Sequence, residues 1–508
     1  MSQFRPVPFP ALKAILVGIV FVVSIGIAPI RETLSKELDL SVAKDSLRKA
    51  TEFMRTHVAD HGGYAWVSSA DGKHSHGEGV AGPHRVWVQP PGTPAVGIAF
   101  LRAHEVTKDQ VHLDAALEVA DALILGQLRS GGWGYSIEFA AEQRKKIPYR
   151  VGPKGGREHI PVDQWPGGWD IWRKRQFKTN KTLIDDDTTP AAIRFLARLD
   201  QRLDFKNAAV HDAVVYAIDS VMSAQYPNGA WGHNYDRFNL KPPSKTRYPV
   251  MKAAYPETWT RVSGNDFAGC YMINDRITMN MIETMLLIAK IYNDDRYWYS
   301  AKRGGDFLIQ AQMPDPQPAW AQQYNRQMEP VWDRKFEPPA ITGGESQDVM
   351  RTLMRLYRET KDKRYLAPIR KALAYMKTCL RPDGKLARYY ELKTNRPIYF
   401  GKDYRMTYDD SEMPDHYGFI RKSQLDEIEK QYNALVKNPD AAKQKPDLQR
   451  TVRRAAKIVS QQVDGAWLEP GFVRNLEGKK VVPPEGVVSS QTFIDNVNAI
   501  CDMIDQQK

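Results

Sequence analysis

Apolar residues recur at three- and four-residue spacing along most of the chain, and few stretches alternate with the two-residue period of a strand. Clear examples of the helical spacing are residues 190–202, 210–224, 276–292, 301–312 and 345–357. Such spacing predicts amphipathic helices with one buried face. The chain is therefore expected to consist of consecutive helices with little sheet.

A short motif recurs after every second helix. It consists of a glutamine, a turn of a few residues, a glycine and an aromatic residue. Clear copies are at 127–133, 225–231 and 461–467, and looser copies are at 61–66, 312–320 and 380–389. Repeats at intervals of tens of residues indicate stacked supersecondary units. About six helix pairs predict an all-α fold, an α/α barrel or toroid of paired helices, with the Gly-Trp turns at one end. The alternative is an irregular all-helical protein whose tryptophans fill a core.

Two long segments interrupt the helical pattern. Residues 141–182 are rich in Gly, Pro, Lys and Arg, and residues 236–264 are rich in Pro and aromatic residues. Loops of this length within a compact domain commonly build a binding site. The predicted organisation is an N-terminal segment (1–35), N-terminal helical repeats (36–126), a central core with long loops (127–425) and a C-terminal helical repeat that closes the toroid (426–508).

The N-terminus has the pattern of an export signal. Arg5 and Lys13 precede an apolar run over 14–30, and small residues follow where a signal peptidase would cut. Pro29 makes that cleavage site a poor one, and the run is long enough to span a bilayer. We expect an exported protein, periplasmic, extracellular or anchored to the membrane by this segment.

The charge balance favours anionic partners. The 508-residue chain has 72 Lys plus Arg and 60 Asp plus Glu, a formal charge of +12. The sequence has no nucleic-acid-binding motif and no long basic run, so a nucleic-acid partner is not expected. The three cysteines, Cys270, Cys379 and Cys501, are too scattered for a disulfide framework or a metal knuckle. An anionic polysaccharide and a monomeric protein are the expected partner and state.

One segment combines cations with aromatic rings. Residues 387–399 contain Arg388, Lys393 and Arg396, with Tyr389 among the rings, and Lys402 follows shortly after. A guanidinium grips a carboxylate with two hydrogen bonds, and a tyrosine ring can stack on a sugar face. The segment therefore suits an acidic polysaccharide. The alternative is a solvated strand rim that carries unrelated charges.

Three consecutive acids open a predicted helix. Asp185, Asp186 and Asp187 precede Thr188 and Thr189. One or two acids at this place cap a helix and match its dipole. A third adds repulsion that a hard cation such as Ca²⁺, which prefers oxygen ligands, would offset. Both interpretations, capping and cation binding, are open at this point.

Taken in order along the chain, these segments resemble family-10 polysaccharide lyases, the pectate lyases with an α/α barrel. The similarity runs from Gly131 to about Phe419. It rests on residues 185–196, 225–231, 275–280, 319–323, 330–346 and 387–409. The resemblance implies cleavage of a uronate-containing, pectate-like polysaccharide by β-elimination, with Ca²⁺ as cofactor.

The resemblance also implies roles for single residues. Arg334 matches an arginine proposed as the base, Arg388 and Lys402 match basic residues that hold substrate carboxylates, and Asp185 and Glu345 match acids near the site. An arginine acts as a base only if its pKa falls far below the usual value. A structural ion pair with Glu337 or Asp333 is the alternative for Arg334. The further candidates are Arg396 and Tyr389 for substrate, and Asp186, Asp187 and Asp275 for the metal.

The sequence departs from the family pattern at the expected calcium site. Met281 stands where the family has a ligand aspartate, and Tyr324 and Asn325 stand where it has histidine and aspartate. A thioether is a poor ligand for Ca²⁺. A non-catalytic polysaccharide-binding relative is therefore one alternative. A terpene-cyclase-like toroid is a second, since Asp186-Asp187-Thr188 resembles part of the acid motif of squalene cyclases, although Ile184 occupies a position that needs an aspartate.

Overall fold

The computed structural model describes residues 38–151, 180–236, 243–263, 270–415, 417–440 and 447–507. The N-terminal segment predicted at 1–35 lies outside these residues, and so does much of the loop predicted at 141–182 and part of the loop at 236–264. Within the described residues, no helix is both long enough and apolar enough to cross a membrane.

Helices form most of the described chain. Segments predicted as helices from their spacing lie in α5 to α9, which confirms the helical interpretation of the apolar pattern. Within the described ranges the α-helices are α1 (Leu40–Phe53), α2 (Thr93–Thr107), α3 (Gln110–Gly126), α4 (Ala141–Arg144), α5 (Thr188–Arg202), α6 (Ala208–Ser223), α7 (Ile277–Tyr292), α8 (Asp295–Gln310), α9 (Glu345–Thr360), α10 (Ala367–Thr378), α11 (Leu425–Lys437), α12 (Leu448–Ser460) and α13 (Ser490–Gln506).

The long helices alternate between an inner and an outer ring. The inner helices pack in the order α13, α2, α5, α7, α9 and α11, and each is also flanked by outer helices from the set α1, α3, α6, α8, α10 and α12. The last helix, α13, packs against both α2 and α1. The fold is therefore an all-α toroid, as the repeats predict.

The two rings differ in burial. Most residues of the inner helix α7 are buried, from Ile277 to Ile291, because neighbouring helices surround it. The outer helix α8 buries one face and exposes Tyr299 on the other. An inner helix can be apolar on nearly every side, whereas an outer helix must be amphipathic.

Short antiparallel strands gather where the inner helices begin. The strands β5, β7, β9 and β18 each end within a few residues of an inner helix. The described strands are β1 (Val67–Ser69), β2 (Ser75–His76), β3 (Arg85–Trp87), β4 (Ser136–Glu138), β5 (Thr182–Leu183), β6 (Asn234–Tyr235), β7 (Tyr271–Met272), β8 (Gln323–Tyr324), β9 (Ala340–Thr342), β10 (Leu386–Ala387), β11 (Tyr389–Glu391), β12 (Pro397–Phe400), β13 (Met406–Thr407), β14 (Ile420–Arg421), β15 (Leu468–Glu469), β16 (Val473–Arg474), β17 (Lys480–Val481) and β18 (Val487–Ser489). The largest sheets have four strands, in the orders β13-β12-β11-β9 and β15-β18-β1-β2.

The tryptophans of the repeated turns are structural. Trp133, Trp231 and Trp320 are fully buried. Each indole N–H donates to a backbone carbonyl of the preceding outer helix, at 2.7–2.8 Å. Each tryptophan backbone N–H donates to a hydroxyl at the start of the next inner helix, and these hydroxyls belong to Thr189, Thr278 and Ser346. The turn thus joins an outer helix to the next inner helix.

The glutamine of each turn joins neighbouring outer helices. The Gln225 amide donates to the Gly229 carbonyl in its own turn and to the Ser300 carbonyl in α8. Gly229 has a φ of +97°, and a Cβ there would lie 1.9 Å from a backbone oxygen of Arg303. In the last copy Gln462, the neighbour of the predicted Gln461, makes the equivalent bonds.

Candidate active site

Four repeats each place one side chain at the same point of the turn, two residues beyond its aromatic or apolar anchor. These residues are Tyr135, His233, Gln322 and Arg388. The carbonyl of each accepts a backbone N–H, at 2.7–2.9 Å, from a residue just before the inner helix that precedes the turn in the chain. The repeat therefore carries four different side chains to one end of the toroid.

The junctions before α5 and α7 supply the acids. Each junction is a single 3₁₀ turn, Asp185–Asp187 and Asn274–Arg276, with two consecutive residues in the left-handed region. Non-glycine residues rarely adopt this conformation, and such strain concentrates at functional sites. The strained turns bring Asp185, Asp186 and Asp275 together, and one carboxylate oxygen of each lies within 4.8 Å of the other two.

Burial and mutual repulsion perturb these acids. They raise the pKa of Asp186 to about 6 and that of Asp275 to about 7. Burial alone would also raise the pKa of Asp185, but His233, Tyr135 and Arg334 hold it below its usual value. The cluster therefore has one firmly ionised carboxylate and two that resist ionisation without a cation.

His233 supports the cluster from behind. It is buried between Asp185, at 3.5 Å from Nδ1, and Asp333, at 3.0 Å from Nε2. Burial alone would lower the pKa of His233, but the two flanking carboxylates raise it well above its usual value. A charged imidazole in this place orients Asp185, which also accepts a hydrogen bond of 3.0 Å from the Tyr135 hydroxyl.

Asp187 does not join this cluster, although the sequence places it beside Asp185 and Asp186. Its two oxygens accept hydrogen bonds from the Arg194 guanidinium on the next turns of α5. The left-handed backbone at Asp186 and Asp187 turns the two neighbouring side chains to different sides. Asp187 therefore has a structural ion pair in place of the predicted metal role.

Arg334 lies against the acid cluster. Its guanidinium contacts Glu337 at 2.7 Å and Asp275 at 3.6 Å, and it remains half-exposed. Burial alone would lower the pKa of Arg334, but Glu337, Tyr417 and Asp275 raise it. This direction is opposite to the one that a base requires, and it suits a group that binds a carboxylate.

Arg388 is more deeply buried than Arg334. It is 4% exposed, contacts Glu345 at 3.2 Å and lies 4.3 Å from the centre of the Tyr417 ring. Arg388 Nε and Glu345 Oε2 are buried and have no hydrogen-bond partner among the described residues. Arg388 thus retains a donor without a partner among the described residues, and the centre of the Tyr417 ring lies 4.3 Å from its guanidinium and 5.9 Å from that of Arg334.

The remaining predicted substrate residues are dispersed. Tyr389 is fully buried, and its hydroxyl bonds Gln322 and Tyr417, so its ring is not available to stack on a sugar. Arg396 precedes β12 and lies 3.5 Å over the ring of Tyr408. Lys402 is exposed in the turn after β12, at the opposite end of that strand.

Sequence reasoning missed His233, Asp333, Gln322 and Tyr417. The repeat offered a signal for two of them, since His233 and Gln322 both lie two residues beyond a turn tryptophan. Glu337 is buried and accepts hydrogen bonds from Arg334 and from the Tyr417 hydroxyl at 2.8 Å. Asp333 directly precedes Arg334 in the chain and was considered only as its ion-pair partner, and no local pattern marks Tyr417.

The residues that depart from the family pattern are partly core residues. Met281 is fully buried within α7 among apolar side chains. Tyr324 is also fully buried, and its hydroxyl donates to the Ala311 carbonyl at 2.7 Å. The Asn325 side chain accepts backbone hydrogen bonds within its own turn. Whether these three changes alter a calcium site stays a prediction.

The acid cluster and Arg334 lie within the part of the chain that matches a known protein family. Residues 166–379 match the pectic acid lyase family. This part is less than half of the 508-residue chain, and it contains Asp185, Asp275 and Arg334. The match confirms the resemblance seen in the sequence, indicates a polysaccharide-processing protein and favours the lyase interpretation over the cyclase one. A search of curated proteins returned no match.

Solved structures show weak similarity. A family 10 polysaccharide lyase from Cellvibrio cellulosa is 17% identical, with 68% of this chain and 97% of that chain covered and a TM-score of 0.41. A mutant of the Cellvibrio cellulosa lyase in complex with trigalacturonic acid is 16% identical, covers 67% and 98%, and has a TM-score of 0.41. A D-mannose isomerase is 12% identical, covers 92% and 98%, and has a TM-score of 0.45. Similarities this weak do not transfer an activity.

Proposed function

We propose that this protein binds a uronate-containing, pectate-like polysaccharide and cleaves it by β-elimination. The observation that carries the proposal is the contact of Arg334 with the acid cluster of Asp185, Asp186 and Asp275, together with a second guanidinium, Arg388, near the same tyrosine ring as Arg334. Arg334 contacts Asp275, and the Tyr417 ring lies near both the Arg334 and the Arg388 guanidinium. Together with a metal ion bound by the acids, the guanidiniums would bind the oxygens of one substrate carboxylate or of two neighbouring carboxylates.

The acid cluster fits Ca²⁺. Its donors are carboxylate oxygens, which a hard cation prefers, and burial with mutual repulsion keeps the pKa values of Asp186 and Asp275 high. Three protein carboxylates leave coordination positions for water and substrate. When bound, Ca²⁺ would make the α-proton of a uronate more acidic by neutralising the carboxylate.

The protein residues would bind and orient. Arg388, with its unused Nε, and Arg334 would fix the substrate carboxylate, while Glu337 and Tyr417 hold the two guanidiniums in place. Elimination removes the proton on C5, forms the C4–C5 double bond and expels the oxygen on C4. The resemblance assigns the proton to Arg334, which would first have to give up its contact with Glu337.

A second function, polysaccharide binding without cleavage, is favoured by the charge state of Arg334. Glu337 and Asp275 keep the guanidinium protonated, and a protonated arginine accepts no proton. In this case the same cleft would bind uronate polymers and release them unchanged.

Incubation with polygalacturonate, with and without Ca²⁺, tests both functions by the ultraviolet absorbance of the unsaturated product. The lyase proposal expects Ca²⁺-dependent product, and the loss of one transition-state contact in Arg388→Lys should slow formation roughly 100-fold. Arg396→Lys is the matched control, because Arg396 lies outside the site, and its rate should stay within about twofold.

Absence of product from several uronic-acid polymers would refute the lyase activity. Binding of those polymers would then support the second function, provided that Arg388→Lys weakens it. Equal binding by Arg388→Lys and wild type would refute both functions for this cleft.

We further propose that the protein acts outside the cytoplasm as a monomer, released or tethered by its N-terminal segment. The basic and apolar pattern of residues 1–30 supports export. Cell fractionation tests it, and recovery of the full-length protein in the cytoplasm would contradict it. Sedimentation of the purified protein measures its mass in solution and so tests whether it is a monomer.

A further inference from the structure

A second group of metal-binding side chains lies outside the acid cluster and outside residues 166–379. Asp60, His61 and His84 each offer one ligand atom, and these three atoms lie within 4.8 Å of one another. We propose that they form a site for a borderline transition-metal ion such as Zn²⁺. Two imidazoles and one carboxylate are the donor set that Zn²⁺ accepts, with water in the remaining position.

The backbone holds both histidines in an unusual conformation. Asp60 and Gly63 exchange two backbone hydrogen bonds of 2.9–3.0 Å around His61 and Gly62, whose φ angles are +51° and +79°. Two positive φ values in a two-residue turn favour Asn or Gly at the first position. His84 also has a positive φ, of +68°. The turn geometry does not explain a histidine at either place.

The surrounding contacts hold the ligand atoms close together. The His61 ring stacks on Phe139 at 4.5 Å, and His61 Nδ1 lies 2.5 Å from Asp60 Oδ1. The His84 carbonyl accepts a hydrogen bond from the Phe139 N–H, so both histidines contact Phe139. The imidazole centres are 5.9 Å apart.

One atom at this site is unsatisfied. Asp60 Oδ2 is buried and has no hydrogen-bond partner among the described residues. A buried carboxylate oxygen without a partner is costly, and a bound cation would satisfy it. A cavity of about 230 Å³ adjoins the group and is lined by Asp60, His84 and His57. A metal ion could enter the site from this cavity.

The ion would join the turn at Asp60–Gly63 to the start of β3. These two segments belong to the N-terminal repeats, for which the similarity to lyases offers no role. The metal would therefore stabilise this end of the toroid, and the proposal does not depend on the lyase function.

Calorimetric titration of the untagged full chain with Zn²⁺ tests the site. We expect His61→Asn and His84→Asn each to weaken the binding of one Zn²⁺ at least about 10-fold, since even outer-shell changes cost that much. Asparagine tolerates a positive φ, so both variants should keep the fold. Zn²⁺ should raise the melting temperature of the wild type, and it should raise it less in the variants.

Two controls distinguish this site from its surroundings. His57→Asn replaces another histidine that lines the same cavity. Asp275→Asn replaces an acid of the cluster with Asp185 and Asp186. Both variants should retain the Zn²⁺ affinity of the wild type. Absence of Zn²⁺ binding by the wild type would overturn the proposal. Equal affinity for Zn²⁺ in the wild type, His61→Asn and His84→Asn would also overturn it.

Discussion

The junctions before α5 and α7 have the same backbone and different chemistry. Both are 3₁₀ turns whose last two residues have positive φ, and both lead to a threonine that accepts the N–H of a turn tryptophan. The first junction reads Asp185–Asp187 and the second reads Asn274–Arg276. The middle residues of both, Asp186 and Asp275, point to the acid cluster.

The third residue of each junction forms an ion pair with the residue seven positions later in the chain. Asp187 pairs with Arg194, and Arg276 pairs with Glu283, so the same pair occurs with its charges exchanged. The first residue differs in its partner, because Asp185 contacts His233 whereas Asn274 bonds Gln322. The comparison shows that position in the turn, more than acidity, decides which side chain reaches the site.

The largest expected effect is on lyase activity, which should depend on the middle residue of each junction and not on the third residue of the first junction. Asp186→Asn and Asp275→Asn should each reduce Ca²⁺-dependent lyase activity roughly 100-fold, because each removes a charge from the proposed cation site. Asp187→Asn is the matched control and should change the rate less than about twofold. An equal loss in Asp187→Asn would show that the two positions are not distinct. Initial rates on polygalacturonate at saturating Ca²⁺ measure the difference.

Exchange of the charges in the Asp187–Arg194 pair tests whether it is equivalent to the Arg276–Glu283 pair. Asp187→Arg and Arg194→Glu should each cost about 2 kcal/mol of unfolding free energy, since each breaks a partly buried, charge-assisted contact. The double variant reproduces the pair of α7 and should recover most of this loss. Urea unfolding of the four proteins forms a double-mutant cycle. Additive losses would contradict the equivalence.

The threonines test what the two junctions share. Thr189→Ala and Thr278→Ala should each cost about 1 kcal/mol of unfolding free energy, because each leaves a tryptophan N–H without its hydroxyl partner. Thr189→Ser and Thr278→Ser retain the hydroxyl and should lose less. Costs that differ strongly between α5 and α7 in urea unfolding would show that the repeat is not energetically regular.

The smallest expected effect is the pH dependence of the acid cluster. Asp186 and Asp275 have folded-state pKa values of about 6 and about 7, above the usual unfolded value. The folded state therefore binds more protons than the unfolded state between about pH 4 and 7. Their contribution to stability is present at low pH and is lost as the pH rises through this range. Asp185, whose pKa is lowered, contributes in the opposite direction.

Melting temperatures between pH 5 and pH 8 measure this dependence. Asp275→Asn should flatten the decline, because it removes one raised pKa and leaves Asp185 in place. Ca²⁺ should raise the melting temperature more at pH 8 than at pH 5, since the cation binds the ionised carboxylates. A Ca²⁺ effect independent of pH, or one that is equal in Asp275→Asn, would contradict the cluster as a cation site.

Two predicted substrate residues lie in positions that the sequence did not indicate, for one shared reason. Tyr389 was expected to stack on a sugar, but β11 places its ring in the core, where a hydroxyl network holds it. Arg396 follows the turn at 392–394 and lies over the ring of Tyr408. Strand register and loop path decide these positions, and neither has a local signal in the sequence.

Local pattern alone accounts for the helices, their pairing and the toroid. The 3.6-residue period and the Gln-Gly-Trp turns are short-range features, and each turn makes its hydrogen bonds within one or two repeats. Local pattern also identified Asp185 and Arg388 as site residues to examine, and the resemblance to lyases added Arg334. Tertiary structure decided the rest. The left-handed turns separate Asp187 from Asp186, and His233 and Tyr417 reach the acids and arginines from distant segments, because contacts between repeats depend on packing that no single segment encodes.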